Sequence, residues 1–406
     1  MVVVRAARGA RSEDVRRRNL GTLLRHVHVH GATTRSTLTS LLALNRSTIG
    51  DLTAELTAAG LVHERTGPAP AGRPGGGRPS YVVEPEVHRV QVLAVDLGVT
   101  HLTVARVGLG GEILARRDRS HQRGPKRVSS VVRTIGRLCR ELLAELPAGA
   151  ACIGAGAAVP GMVRVPDGLV RQVPNLGWSD VPLGAELALE LDMAVTVGND
   201  ADLGALAEHV RGAAVGCDDV VYLAGHSGIG AGIFVSGHPL AGSRGYAGEV
   251  GHVVVNPDGL DCRCGSRGCW ETEAGEERLF DLAGRPAGGG LDGVRAVLAA
   301  AAEGDRAAAN AVRHVATWLG RGAANVVNSF NPEVVILGGA LADIYAVASD
   351  AVHEAMDTYA LAPPREGLRV ITPAFGNDSS LVGAAELAFG PLLADPLLEI
   401  SKLHAS

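Results

Sequence analysis

Three cysteines fall within eight residues at Cys262, Cys264 and Cys269, with His252 upstream of them. One imidazole and three thiolates are the donor set of a closed tetrahedral zinc site. A C-x-C-x4-C spacing suits a metal better than a disulfide, because cysteines two apart bridge poorly to each other. The other three, Cys139, Cys152 and Cys217, are scattered singly through apolar stretches. In a chain whose start shows no apolar leader, clustered thiols read as metal ligands. Carboxylates stand on both sides, Glu249 before the cluster and Glu271 after it. Four protein donors leave no open position on the ion, so it would stiffen its loop rather than catalyse.

A second kind of chemistry is written in glycine turns that follow apolar strands. The strand Arg89–Asp96 runs into Asp96-Leu97-Gly98-Val99-Thr100, and Asp219–Ala224 runs into a glycine-rich turn, Gly225–Gly232, that carries Gly228 and Gly230. Such a turn sets a carboxylate and backbone N–H groups beside a phosphate or its Mg2+. Gly338 and Gly339, which close the strand Glu333–Leu337, are grouped with these phosphate-facing positions. Asn199 and Asp200 sit where the strand Ala194–Val197 hands over to a helix over Ala201–Arg211. That is a usual place for site residues in α/β folds, and equally for a helix cap. Two strand–turn–strand units in one chain predict a duplicated fold with a cleft between its halves.

The elements upstream have a different character. Residues 1–89 hold 13 arginines against seven acids, a net of +6, whereas the remainder carries 25 basic and 36 acidic residues, a net of −11. A basic head on an acidic body is the charge footprint of a DNA-binding module joined to another domain. Leu20, Leu23, Leu24 and Val27 mark one face of a helix over Arg16–His28. Thr33 or Thr34 can cap a short helix Arg35–Leu42, and Asn45 can cap a third over Arg46–Ala59. Helix, tight turn and capped helix is helix-turn-helix architecture, with the exposed Arg46, Ser47 and Thr48 entering the major groove first and Arg35 beside them. Strands over Leu61–Arg65 and Tyr81–Val83 flank a Gly/Pro-rich loop, residues 67–80, with Arg73 and Arg78. The loop reads as a minor-groove wing or as a plain linker. The end, Ala394–Ser406, reads as frayed or as a partner contact.

Taken together these residues resemble the family named for repressors, open reading frames and kinases (ROK). The resemblance rests on D-L-G-V-T at Asp96–Thr100, V-P-G-M-V at Val159–Val163 and P-N-L-G-W at Pro174–Trp178. It continues through N-D-A-D-L-G-A-L-A-E at Asn199–Glu208, S-G-I-G-A-G-I at Ser227–Ile233, G-E-V-G-H at Gly248–His252 and C-R-C-G-S-R-G-C-W-E at Cys262–Glu271. It implies an actin-like sugar-kinase fold with an N-terminal winged helix. It also implies that Asn175, Asn199, Asp200, Glu249, His252 and Glu271 bind a hexose, with Asp200 matching the catalytic base of the kinases. Two departures concern the phosphates. Val99 and His101 stand where the kinases read glycine and lysine, and His226-Ser227 precede Gly228. A valine and an imidazole where glycine allows close backbone approach hinder ATP.

The expected architecture is therefore an α/β, two-lobed, actin-like fold behind a winged helix. The winged helix is expected over 1–88, the first lobe over 89–198 with a returning helix in 379–400, and the second lobe over 199–378 with the zinc and sugar segment at 248–271. The expected function is a sugar-responsive, DNA-binding regulator, a repressor of carbohydrate genes, working as a homodimer or homotetramer on operator DNA. Its cofactor is structural Zn2+, with ATP and Mg2+ only in the alternative of a hexose kinase that also binds DNA. A third reading is a zinc-stabilised interaction module with a dead cleft. No apolar run is long enough for a membrane span, and a reducing, cytoplasmic setting is expected.

Overall fold

The computed structural model describes residues 12–67, 80–165 and 167–403. The head begins with a helix, Ser12–His30, which buries Leu20, Leu23, Leu24 and Val27 as their spacing predicts. Thr34 caps the helix Arg35–Leu42 by accepting from the Thr37 amide, and Asn45 caps Arg46–Ala58 by accepting from Thr48 at 2.8 Å. Each cap contributes about 1 kcal/mol. Between these two helices Ala43 turns the chain with a left-handed φ of 53°. Strands Val62–Gly67 and Ser80–Pro85 pair antiparallel, and Thr33–Thr34 adds a third strand to Ser80–Pro85. Arg73 and Arg78 lie outside the described residues.

Behind the head, two five-stranded sheets share one order. In the first, Ile113–Ser120, His101–Gly108 and Val90–Leu97 run antiparallel, and Ala151–Val159 and Val195–Asn199 continue parallel. In the second, His238–Pro239, Ile229–Val235 and Val220–Gly225 are antiparallel, followed by the parallel Val334–Gly339 and the parallel edge strand Arg369–Ile371. Central strands such as Val90–Leu97 and Val220–Gly225 are buried along their whole length, which is why they read as mostly apolar runs, with Gln91 and Asp96 the polar residues of the first. The duplicated two-lobed α/β fold expected from the sequence is thus the fold observed.

Two stretches differ from their sequence-based expectations, and one more builds a small sheet of its own. The turn drawn over Gly225–Gly232 shrinks to residues 226–228, because Ile229–Val235 pairs fully with Val220–Gly225. Gly230 and Gly232 are strand residues whose missing side chains let the helix Asp200–Val210 approach; a Cβ on Gly230 would lie 3.1 Å from Ala201 Cβ. The stretch around Pro174–Trp178 belongs to a three-stranded sheet of Trp178–Val181, Leu169–Val173 and Met162–Arg164. The C-terminal segment is neither frayed nor free over its described part. Pro396–Leu403 is a helix with Ile400 buried in the core shared by the head and the first lobe.

That shared core is built around the helix Ser379–Ala394. Its Leu381, Ala384, Ala385, Phe389 and Leu392 pack against the first sheet on one side and Leu20, Leu24 and Val27 of the head on another. Burying this many apolar side chains at about 1.5–3 kcal/mol each fixes the head against the body rather than tethering it loosely. Among the described residues no single helix is long and apolar enough to cross a membrane.

Candidate functional site

A cavity of about 740 Å³ opens between the two lobes. The first lobe contributes Asp96, Gly98, Thr100 and His101 from the first hairpin, Asn175 from the 3-10 turn Pro174–Leu176, and Asn199 with Asp200 from the strand-to-helix junction. The second lobe contributes Gly228 and Gly230 from its own hairpin and Glu249, His252 and Glu271 from the cysteine-rich segment. The fold therefore gathers residues spread over most of the body. Gly338 and Gly339 do not line the cavity. Gly339 takes φ 60° to start the helix Ala340–Tyr359, and a Cβ on Gly338 would meet the Tyr222 ring, so both glycines serve packing.

The first turn is filled. His101 Nε2 lies 3.0 Å from Asp96 Oδ2, and the imidazole covers the space a Gly98 side chain would need. That hydrogen bond outweighs burial and raises the His101 pKa. Deeper in the cleft the carboxylates crowd. Burial first, and Asp96 after it, push the Asp200 carboxyl up, while His226 pulls it down. Burial, then Asp200 and Glu249, push Asp202 up to about 7. Glu249 is likewise raised by burial, with Glu271 and Asp200 adding to it against His252. Carboxyls and amides gathered in this way offer the hydroxyls of a polyol paired hydrogen-bond partners.

Asn199 is held from two directions. Its Oδ1 caps the helix Asp200–Val210 by accepting from Ala201 and Asp202 amides at 2.8 and 3.0 Å, and its Nδ2 donates to the Gly161 carbonyl at 2.9 Å. The capping reading is therefore realised at this residue while it also faces the cavity. Asn175 bridges the lobes, donating to Ser227 Oγ at 2.8 Å and accepting from Arg263 Nη1 at 2.5 Å. Arg123 crosses the same rim to Glu276 and Glu277. Sequence reasoning missed Asp202, Arg123 and Arg263 as cavity residues. Arg263 had a readable signal, since it lies between Cys262 and Cys264.

The metal-binding potential is geometric. One donor atom from each of His252, Cys262, Cys264 and Cys269 lies within 4.8 Å of every other. Cys264 Sγ is 3.6 Å from Cys269 Sγ, and Cys262 Sγ is 3.7 Å from His252 Nδ1. A tetrahedral zinc with its usual bond lengths has ligand-to-ligand edges of roughly 3.5–3.8 Å. The residues fit the ion. Gly268 makes the loop possible, because at φ 70° its Cβ would strike the Asn256 carbonyl. The next residues point three ways. Cys269 joins the cluster, Trp270 is buried with Nε1 donating to the Trp318 carbonyl at 2.9 Å, and Glu271 reaches the cavity. Glu271 Oε1 also accepts from the Cys262 thiol at 3.1 Å.

In the head, Arg46 and Ser47 are exposed at the start of Arg46–Ala58, and Thr48 is half-buried. Arg35 is half-buried and already paired within the head. Its guanidinium makes two 2.5 Å bonds to Glu64 and stacks 4.8 Å from the Tyr81 ring centroid.

Comparison with known proteins fits both halves of this geometry. Residues 92–390 match the model of the ROK family. The xylose repressor of Caldicellulosiruptor bescii is 27% identical over 375 residues, covering 89% of this chain and 93% of that one. A solved structure described as a ROK family transcriptional regulator, homologous to the E. coli MLC protein, superposes with a TM-score of 0.78 at 26% identity, covering 96% of this chain and 100% of that one. The glucokinase of Thermotoga maritima is 31% identical over 318 residues, but covers 74% of this chain against 97% of its own length. The regulators match head and lobes alike, and the kinase matches a shorter span. The chain belongs to the ROK family, with the head-and-two-lobes plan of its transcriptional regulators.

Proposed function

We propose that this chain is a transcriptional repressor that binds operator DNA through its winged helix and responds to a sugar held between its lobes. The observation that carries this reading is the joint one: a helix-turn-helix head with two paired wing strands packed on the body, and a cleft lined by carboxylates and amides whose first turn is filled by His101. Asn175, Asn199, Asp200, Glu249, His252 and Glu271 bind the sugar. His252 serves twice, its Nδ1 toward the thiols and its Nε2 4.0 Å from Glu249 on the cleft side. A zinc ion held by His252, Cys262, Cys264 and Cys269 fixes the loop that presents Glu249 and Glu271. Bound there, it supplies rigidity and a set imidazole orientation.

Arg46, Ser47 and Thr48 make the major-groove contacts, and two heads in a homodimer or tetramer read a roughly palindromic site. Arg73 and Arg78 reach the minor groove. The test is a duplex-binding titration at fixed salt, using a duplex selected from a random library with sugar-free protein. Saturating D-xylose, D-glucose or N-acetyl-D-glucosamine should change the affinity; no change with any sugar of a broad panel sinks effector control.

The second reading, a hexose kinase that also binds DNA, is favoured by one observation. Asp200 lies on the cavity at a helix N-terminus, where a carboxylate can take the proton of a bound hydroxyl, and burial raises its carboxyl above the ordinary value. ATP turnover over the same sugars, with Asp200→Asn as control, separates the two. Asp200-dependent turnover would establish the kinase.

A further inference from the structure

The helix Asp200–Val210 begins at the cleft and ends at the head. Asp200 lines the cavity, and Arg211 caps the other end, roughly 16 Å away at the usual rise per residue. Arg211 Nε donates to Glu386 Oε1 at 2.5 Å, and its Nη1 donates to the carbonyls of Gly110 at 2.9 Å and Val29 at 3.4 Å. Glu386 lies within Ser379–Ala394 and is 3.2 Å from His28 Nε2, while His28 Nδ1 accepts from the Gly110 amide at 2.9 Å. That acceptor role places the imidazole hydrogen on Nε2, facing Glu386. His28 and Val29 are in the last turn of the head's first helix. Four elements thus meet at one buried knot: the cleft helix, the C-terminal helix, the first sheet's hairpin turn and the head.

The knot is dry, with His28 at 0% and Glu386 at 7% exposure. A buried ion pair adds little stability over well-packed apolar groups, so its contribution is a fixed geometry. The packing around it is equally fixed. A Cβ on Gly21 of the head helix would lie 2.6 Å from the Leu393 carbonyl, and one on Gly383 would collide with the Leu203 carbonyl of the cleft helix. The helix Ser379–Ala394 is gripped from both sides at glycine crossings. Close-packed contacts of this kind shift as bodies rather than deform smoothly.

We infer that Arg211, Glu386 and His28 are the positioning residues that carry sugar occupancy from the cleft to the DNA-reading head. The inference rests on the proposed sugar site at Asn199 and Asp200. Sugar contacts at the start of the helix move it as a rod, and Arg211 at its end moves the last turn of the head's first helix through Val29, Glu386 and His28. None of the three residues lines the cavity.

The test uses the full chain and two variants, Arg211→Met and the isosteric Glu386→Gln, which guards against a failure of the first to fold. Calorimetry gives sugar affinity with D-xylose, D-glucose and N-acetyl-D-glucosamine, and titration gives affinity for the selected duplex with and without saturating sugar. In the wild type the ratio of the two duplex affinities should be about 5–150-fold. In the variants, sugar affinity and sugar-free duplex affinity should stay within about threefold, and the ratio should fall toward one. A residue with only a structural role would lower both affinities and leave the ratio. A folded variant with the wild-type ratio overturns the inference while the sugar reading stands. A wild type that binds none of a broad sugar panel overturns the sugar reading and this inference with it.

Discussion

The two hairpin turns that face each other across the cleft occupy the same place in the same strand order, yet they are filled in opposite ways. At the first, the space beside Gly98 is taken by His101 from the very next strand, bonded to Asp96. At the second, the space beside Gly228 is taken by the carboxylate of Glu271, which arrives from the cysteine-rich segment. The first turn is closed locally, by a residue that travels with it. The second is closed by a residue whose position depends on a separate loop and its His/Cys cluster. A glycine at a strand end therefore marks room, and the side chain that fills the room decides whether the turn takes a phosphate, a sugar or nothing.

The largest break in this comparison comes from the metal. Cys264→Ser, or removal of the ion with a chelator, should drop zinc from one to well under one per chain. Freed of its anchor, Glu271 should lose its place, and sugar affinity should fall about 10–100-fold. Sugar-free duplex binding should fall less, because the head shares its core with the first lobe and the helix Ser379–Ala394, and no residue of the cysteine-rich segment joins that core. Metal analysis with calorimetry and duplex titration checks the order. Full sugar affinity in a zinc-free variant would uncouple the second turn from the metal.

A smaller and sharper break is a methyl group at each turn. In Gly228→Ala the new Cβ meets the Glu271 carboxylate, and sugar affinity should fall about tenfold, or about 1.4 kcal/mol, with zinc content unchanged. In Gly98→Ala the Cβ displaces the His101 ring from Asp96, and sugar affinity should stay within about threefold. Equal losses by calorimetry would erase the asymmetry between the turns.

This asymmetry shows how far the sequence could be read. The departure at His101 was visible as a residue type, and the strands flanking it as apolar runs. The hydrogen bond to Asp96 was not, because it depends on the ring folding back over Gly98. The metal set was legible because four donors crowd a short segment, and the head because its caps and apolar spacing are local signals. Gly338 and Gly339, which lie outside the cavity lining, could not be told from cleft glycines for a physical reason. A glycine that admits a neighbouring helix or ring looks, in one dimension, the same as one that admits a phosphate. Pro396–Leu403 was missed because its order comes from a tertiary core that no local pattern announces. Arg211 and Glu386 are far apart in sequence, and nothing near either residue announces the other.

Asp202 offers a pH test of the crowded floor between the turns. Its carboxyl is raised from 3.8 to about 7 by burial, Asp200 and Glu249. A raised folded-state pKa means stability that is full below pH 4 and lost as the pH climbs through 7. The wild type should therefore melt higher at pH 6 than at pH 8. Asp202→Asn removes the buried charge, and should gain about 1–3 kcal/mol at pH 8 after allowance for the open cleft. That is a rise of about 2–4 °C in Tm, with a flatter pH profile. A variant that melts lower than wild type at pH 8 would mean the carboxylate is stabilised by a partner.

The smallest expected effect lies at the first turn itself. His101 has its pKa raised, chiefly by the hydrogen bond to Asp96, against the pull of burial. Its pairing energy is present in full below the ordinary histidine value of about 6.5 and is lost as pH rises through the higher folded value. The ring is 41% exposed, so solvent screening limits the pair to about 1 kcal/mol or less. Melting curves are too blunt for this, and a proton NMR titration of the His101 ring is the right measurement. Its midpoint should lie above 6.5 in the wild type and should fall in Asp96→Asn, where burial and Arg116 are opposed only by Asp200. A wild-type midpoint already below 6.5 would mean that a neutral ring fills the first turn, and the two turns would then differ in the origin of their filler but not in its charge.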